Sequence, residues 1–437
     1  MRTARPLIAL LAVLVGLVAY LYFVDASRPD EEARDNAFDV QADAIQSLRI
    51  ASAESGTTVL VKENDAWRLT EPVTAPADET ELSSLTSSLA SLEVEQVVDE
   101  KPADLEPFGL DDPRVTVSFT TSGSEKPRKL LVGDRTPTGG HAYAKRDEEP
   151  GVFLIQAYLD STFDRKPFDL RNKKILTFDR DKVDRLELVR GRSRVEVVKD
   201  GLDWRLTAPV SARADYSAIE GVVSQLQSAQ MTSIVSEDAG EDLARYGLAD
   251  PQAVATVGAG STRATLAFGS SAENEDLYVR DASRRVVVTA AGSLLDDVGK
   301  EASDLRRKDI FEFRPFNVTQ LTLTRGSDTF AFEKKGADDA AGWRRTAPKA
   351  SDPDGEKMED LLTKLSSLRA RSFTEGVRKA SPALTVEARF DDGKQSEKVT
   401  FLRGESAVLA TRGDEPGAAE IDTKEFDEAL AALDALE

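Results

Sequence analysis

Trp67-Arg68-Leu69-Thr70-Glu71-Pro72 decides the fold, because the hexapeptide returns as Trp204-Arg205-Leu206-Thr207-Ala208-Pro209 and again as Trp343-Arg344-Arg345-Thr346-Ala347-Pro348. These are the three tryptophans of the 437-residue chain, and they stand 137 and 139 residues apart. A solenoid unit spans roughly 20–50 residues, whereas this period matches an ordinary domain. The chain therefore reads as three tandem copies of one domain.

Working outward from each tryptophan, the register holds without a gap. Eleven residues downstream stand Asp78, Asp215 and Asp354, a residue type that caps helix N-termini by accepting orphan backbone N–H bonds. Leu82, Leu85, Leu89 and Leu92 follow in the first copy, Ile219, Val222, Leu226 and Ala229 in the second, and Met358, Leu361, Leu365 and Leu368 in the third. Steps of three and four place each set on one helix face. Upstream, alternating segments flank a glycine turn: residues 45–50 and 57–61 about Ser55-Gly56, 183–189 and 194–198 about Arg190-Gly191, and 318–323 and 329–332 about Arg325-Gly326. Such a pattern predicts a β-hairpin, which the tryptophan closes and packs under the helix.

Past the helix, Phe108-Gly109-Leu110-Asp111-Asp112-Pro113 is answered by Tyr246-Gly247-Leu248-Ala249-Asp250-Pro251, and each leads into further alternating strands such as residues 115–119, 130–132 and 141–145, the last matched by Leu277-Tyr278-Val279-Arg280. Asp169-Leu170-Arg171-Asn172-Lys173-Lys174-Ile175-Leu176 closes the first copy and Asp304-Leu305-Arg306-Arg307-Lys308-Asp309-Ile310-Phe311 the second. The third copy has Ser381-Pro382 where the aromatic-Gly-Leu motif belongs, and it lacks the closing segment. It is the degenerate, terminal repeat. The expected fold is α+β: an N-terminal transmembrane helix, then three repeats, each an antiparallel sheet with one or two packed helices, forming an elongated ectodomain. The junctions carry no Gly/Ser-rich or Pro-rich linker, so neighbouring domains are expected to pack closely.

Residues 7–24 contain no charge. As a helix rising about 1.5 Å per residue they reach the thickness of a bilayer's hydrocarbon core. Arg2 and Arg5 precede them, and Asp25, Asp30, Glu31 and Glu32 follow, which keeps the N-terminus in the cytoplasm and sends the rest outside. The competing reading is a cleaved signal peptide, against which stand the length of the run and the aromatics Tyr20, Tyr22 and Phe23 near the cleavage point. The expected division is a cytoplasmic tip at residues 1–6, the anchor at 7–24, a flexible stalk at 25–37, and repeats at 38–179, 180–313 and 314–437.

The chain holds no cysteine and one histidine, His141. That excludes disulfides, thiolate chemistry, histidine-pair zinc sites and a lipid-modified cysteine. A formal charge of −21, from 57 basic and 78 acidic residues, disfavours a nucleic-acid partner, since that affinity comes mostly from neutralising phosphates. No phosphate-binding glycine loop, nucleophile elbow or paired-carboxylate motif stands out, so no catalytic, cofactor or metal site is assigned. The acidic clusters Asp147-Glu148-Glu149 and Glu273-Asn274-Glu275-Asp276 lack the spacing of a calcium loop and read as solvated surface. The Trp-Arg dipeptides suit either a ligand platform or hairpin packing, and identical placement in every copy favours packing. His141 has no counterpart in the other copies and reads as a surface residue.

The candidate positions that remain are Asp169, Arg171, Asp304 and Arg306 in the closing segments. They suit either a carboxylate–guanidinium pair at a partner surface or residues that fix the angle between neighbouring domains. The absence of the segment after the last domain favours the junction.

Taken together, the anchor, the Trp-Arg-Leu-Thr-x-Pro pattern, the aromatic-Gly-Leu-x-Asp-Pro motif, the Tyr-Val-Arg strand and the Asp-Leu-Arg closing segment resemble bacterial proteins catalogued as domain of unknown function 4340. The resemblance spans nearly the whole ectodomain. It implies an envelope protein often encoded beside components of gliding-motility-type ABC transporters, and it supplies no catalytic residues. The expected function is therefore that of a non-enzymatic accessory or docking protein, single-pass in the bacterial inner membrane, for an envelope complex such as an ABC-type transporter. The alternative is an extracytoplasmic protein that binds a lipid, glycan or peptide in an inter-domain groove.

Overall fold

The computed structural model describes residues 35–240, 242–336, 342–376, 381–404 and 407–436. The expected cytoplasmic tip and anchor, and the stalk up to residue 34, lie outside the described residues. The described residues begin within the expected stalk, where Ala37 donates its backbone N–H to Leu92 at 2.6 Å, and Ala37 and Phe38 are buried. Among the described residues no helix is long and apolar enough to cross a membrane.

Between Lys173 and Lys174 the chain divides into two compact units. The first unit contains one antiparallel sheet of nine strands: β1 (Ile45–Ser52), β2 (Gly56–Glu63), β3 (Ala66–Glu71), β4 (Ala75–Pro76), β5 (Gln96–Asp99), β6 (Val115–Thr121), β7 (Ser124–Arg135), β8 (His141–Arg146) and β9 (Val152–Gln156), with helices α1 (Glu79–Ala90) and α2 (Tyr158–Phe163). The strands run in the order β4-β3-β2-β1-β6-β7-β8-β9-β5. Helix α1 leaves one edge strand and returns at the other, so it crosses the whole width of the sheet. Asp78 starts it by accepting from the backbone N–H of Thr80 at 3.0 Å and of Glu81 at 3.2 Å. Leu82, Leu85 and Leu89 face the sheet and meet Leu48, Ile50, Val117 and Phe119 in one apolar cluster. Each such leucine is worth about 1.5–3 kcal/mol of burial.

Two further sheets form the second unit. One comprises β10 (Val183–Arg190), β11 (Ser193–Asp200), β12 (Asp203–Ala208), β13 (Ala212–Arg213), β14 (Ser233–Ser236), β15 (Ala253–Ala259), β16 (Thr262–Ser271), β17 (Asp276–Asp281) and β18 (Val287–Ala291), with helices α3 (Tyr216–Ser228), α4 (Ser293–Val298) and α5 (Ala302–Leu305). Its order, β13-β12-β11-β10-β15-β16-β17-β18-β14, repeats that of the first sheet strand for strand. The other comprises β19 (Val318–Arg325), β20 (Asp328–Lys334), β21 (Trp343–Ala347), β22 (Ala370–Thr374), β23 (Ser381–Phe390), β24 (Gln395–Arg403), β25 (Val408–Arg412) and β26 (Ala418–Ile421), with helices α6 (Gly355–Ser366) and α7 (Thr423–Asp434). Its order is β21-β20-β19-β23-β24-β25-β26-β22. The third copy has thus lost loop motifs and the two-residue edge strand, where a lone Arg345–Ser351 bridge stands, and kept the order of the other eight strands. Where the first two copies carry the six-residue α2 and α4, it carries the twelve-residue α7, whose Phe426, Ala429 and Leu433 share a core with Met358, Leu361 and Leu365 of α6.

The motif residues fall at equivalent places in all three copies. Each motif proline follows a cis peptide bond, at Glu71-Pro72, Ala208-Pro209 and Ala347-Pro348. Trp67 and Trp204 are buried, whereas Trp343 is half-buried against the third core. On the sheet face away from the helix, side chains are mostly polar or charged. Thr329, Thr324, Thr385, Thr400 and Thr411 are direct cross-strand partners in series over five strands of the third sheet.

That outer face also explains the aromatic-Gly-Leu motif. Phe108 lies edge-on to Tyr143 with ring centroids 5.1 Å apart, and Tyr246, Leu248 and Val287 form a small apolar cluster against which Leu243, Ala267 and Tyr278 pack. The intervening glycine must be glycine: Gly247 has φ +67°, and a Cβ there would come within 2.6 Å of the Ser270 backbone nitrogen.

Candidate functional site

Closing segments tie the end of each repeat back to the start of its own helix. In the second repeat, the Leu305 carbonyl accepts from the N–H of Asp215, the cap of α3, at 2.8 Å, and Arg307 N–H donates to the Arg213 carbonyl at 3.0 Å. The first repeat does the same through Leu170 to Asp78 at 2.9 Å and Asn172 to Pro76 at 3.0 Å. Leu170 and Leu305 are fully buried. The residues after them turn to the next repeat: Ile175 N–H donates to the Ala229 carbonyl at 3.1 Å, Ile310 N–H to that of Leu368 at 3.1 Å, and Phe311 and Phe313 enter the third core.

Within this frame the four candidate residues separate in role. Asp304 sits in α5, where its carboxylate accepts from Glu301 N–H at 2.9 Å and completes a reciprocal cap. Asp169 accepts from Lys166 N–H at 3.2 Å in a turn. Arg171 is buried, paired to Ala77 by a backbone bridge. Arg306 leaves its motif and pairs with Glu415 of the third repeat, Nη2 to Oε2 at 2.7 Å, while its guanidinium lies 4.1 Å from the Phe373 ring centroid.

Arg306 belongs to a cluster of buried charges between the second and third sheets. Arg213 Nε donates to the other oxygen of Glu415 at 2.5 Å, Nη1 reaches Glu312 at 3.3 Å, and Nη2 donates to the carbonyls of Asp309 and Ile310 at 3.2 and 3.4 Å. Glu415 is 5% exposed. Burial alone would raise its pKa, and the Arg213 and Arg306 guanidiniums outweigh that and hold it below the usual carboxylate range. Beside it, Glu397 accepts from the backbone N–H groups of Glu312 and Phe313 and from Arg412 Nη1 at 2.6 Å. Arg412 takes Asp414 as well, at 3.1 Å and 3.3 Å. Burial would lower the Arg412 pKa, and Asp414 and Glu397 reverse that into a rise.

Arg213, Arg306, Phe373 and Glu415 line a void of only about 10 Å³, room for one water at most. The Arg306 Nε is buried there without a hydrogen-bond partner. Every carboxylate in the cluster is spent on a cation or a backbone N–H. The arrangement is a clamp, with no space for a substrate.

In the first unit a different buried acid stands out. Asp160 of α2 is 2% exposed and takes Arg135 at 2.7 and 3.0 Å and Arg114 at 3.2 Å. Burial pushes its pKa up, and the two arginines more than reverse the effect. The acidic run flagged in the sequence is paired too, Asp147 with Lys129, Glu148 with Lys126 and Glu149 with Arg146. Among the described residues no cluster of acidic and histidine side chains could hold a metal ion. His141 begins β8 and is half-buried.

Sequence reasoning missed Arg213, Glu397, Arg412 and Glu415. Periodicity could not find them, because Pro76 stands in the first repeat where Arg213 stands in the second, and Glu415 lies in a turn of the last copy alone.

A family model described as "Domain of unknown function (DUF4340)" matches residues 67–203 and 204–392. Both segments begin at a motif tryptophan. Among curated proteins none matches the chain. Similar solved structures include the DNA polymerase sliding clamp from Pseudomonas aeruginosa with ligand, 9% identical, covering 88% of this chain and 93% of that one at a TM-score of 0.15. Another is a sliding clamp (DNA polymerase III subunit beta) of the same organism bound to griselimycin, 11% identical, covering 89% and 93% at 0.13. At these scores the likeness carries no argument.

Proposed function

The chain belongs to the DUF4340 family, its model matching two adjacent segments, and from that premise we propose that it is a non-enzymatic, membrane-anchored docking protein of an envelope complex built around an ABC-type transporter. In this reading the charge-free run at residues 7–24 holds the protein in the bacterial inner membrane with its N-terminus in the cytoplasm, and the repeats present their polar outer sheet faces to partner subunits. One observation carries the choice of docking over capture. At the junction of the second and third repeats, where an inter-domain groove would hold a ligand, Arg213, Arg306 and Glu415 close the space to about 10 Å³. Buried pairs of this kind fix geometry more than they add stability, which suits a presenting surface.

Gentle purification from native membranes followed by mass spectrometry tests the proposal. The expected result is co-purification of transporter subunits. Recovery of the chain without any envelope protein overturns it.

A further inference from the structure

Arg190 and Arg325 occupy the same position in their repeats, each the last residue of the first hairpin strand and each before the turn glycine, paired in register with Ser193 and Asp328 respectively. In the third repeat this arginine is satisfied, Arg325 Nη1 reaching Asp434 near the end of α7 at 2.5 Å. Helix α4 of the second repeat is half as long and ends in Gly299-Lys300, so no carboxylate arrives. Instead the Arg190 guanidinium lies over Gly299, Nη1 being 2.7 Å from where a Cβ would stand.

Beside it opens a cavity of about 190 Å³ whose lining joins the apolar Leu188, Val254 and Val298 to the polar Arg190, Ser193, Lys300 and Glu301. Neither cation has an ion-pair partner among the described residues. The one acid in the lining, Glu301, caps α5 through the Asp304 backbone, and with Arg190 and Lys300 the lining keeps a net positive charge in a chain of net −21. A cavity of ~150 Å³ admits benzene.

We propose that this pocket of the second repeat binds a carboxylate carried on an apolar group of about six carbons, with Arg190 and Lys300 taking the carboxylate. The ligand reproduces at Arg190 what Asp434 supplies at Arg325. Two sources share that chemistry, a free organic acid and the apolar C-terminal residue of a polypeptide. The site is independent of the transporter reading and stands or falls separately from it.

The test is titration calorimetry on the full chain, free of anionic detergent, with hexanoate, hexanol and acetate, and with a peptide ending in leucine as free acid and as amide. Hexanoate is expected to bind at least tenfold more tightly than hexanol or acetate, and Arg190→Gln and Lys300→Gln, both at exposed positions, to weaken it at least tenfold without shifting the urea midpoint. Tighter binding of the free-acid peptide than of hexanoate assigns the site to a polypeptide terminus, and the reverse to a free acid. Equal binding of hexanoate and hexanol, no binding of either, or an unchanged affinity in both variants overturns the proposal.

Discussion

Tyr246 stands edge-on to Tyr278, ring centroids 5.2 Å apart, so the aromatic-Gly-Leu motif and the Tyr-Val-Arg strand, distant in sequence, are two halves of one contact. The third repeat, which lacks the first motif, places Leu409 rather than an aromatic in the corresponding position of β25. A double-mutant cycle of Tyr246→Leu and Tyr278→Leu, read by urea denaturation, is expected to give a coupling of about 0.5–1.5 kcal/mol. Strict additivity would show that the rings do not interact.

Gly247 gives a sharper test of the same segment. Gly247→Ala puts a Cβ 2.6 Å from the Ser270 nitrogen at φ +67°, and it is expected to cost well above the ~1–2 kcal/mol of the left-handed conformation alone. Gly56→Ala, at φ +76° with nothing within 4 Å, isolates the conformational cost. Equal losses would remove the close approach from the account.

At the junction, Glu415→Ala leaves Arg306 a buried cation without an acid and Arg213 with only Glu312 at 3.3 Å. The expected loss is about 3 kcal/mol, seen in the unfolding transition of the second unit and followed by Trp204 fluorescence in a Trp67→Phe, Trp343→Phe background. A loss no larger than that of an exposed pair such as Lys398–Glu387, worth under ~1 kcal/mol, would mean that the clamp is solvated.

The pH dependence follows from two acids. Glu415 and Asp160 both have folded-state pKa values lowered by neighbouring arginines. Both are ionised and fully stabilising above their unfolded values of ~4. As pH falls through the folded values, the unfolded chain binds more protons than the folded one and stability drops. Urea midpoints are expected to fall with acidification below about pH 4, and more shallowly in Glu415→Gln. A midpoint insensitive to acid would contradict the paired, ionised state.

Helix caps provide the control that links sequence to structure. Asp354 accepts from Glu356 N–H at 2.9 Å and Lys357 N–H at 3.3 Å, and Asp354→Ala is expected to cost about 1 kcal/mol, as is Asp78→Ala. A neutral effect at both would dissociate the caps from helix stability.

What the sequence made legible is what recurs. Hairpins, capped helices and glycine turns depend on local patterns, and those patterns survive at fixed spacing from Trp67, Trp204 and Trp343. The strands that flank each sheet after the helix, such as β5 with all four residues exposed, have no alternation to betray them. Asp304 and Arg306 looked like a pair because they are neighbours in sequence. In the structure one caps its own helix and the other crosses to Glu415, a partner 109 residues away. Long-range charge pairs between unlike copies leave no periodic trace.

The closing segment has a consequence for how such a chain can grow or shrink. Since Leu305 completes one core and Ile310 begins the next, no cut between repeats leaves both neighbours whole. Gain or loss of a copy is clean only when a full period is exchanged between matching points, so that every closing segment still finds a successor. The third copy fills its own core with α7 instead, whose Phe426 and Leu433 lie against Met358 and Leu361, as a coping stone closes a course of wall.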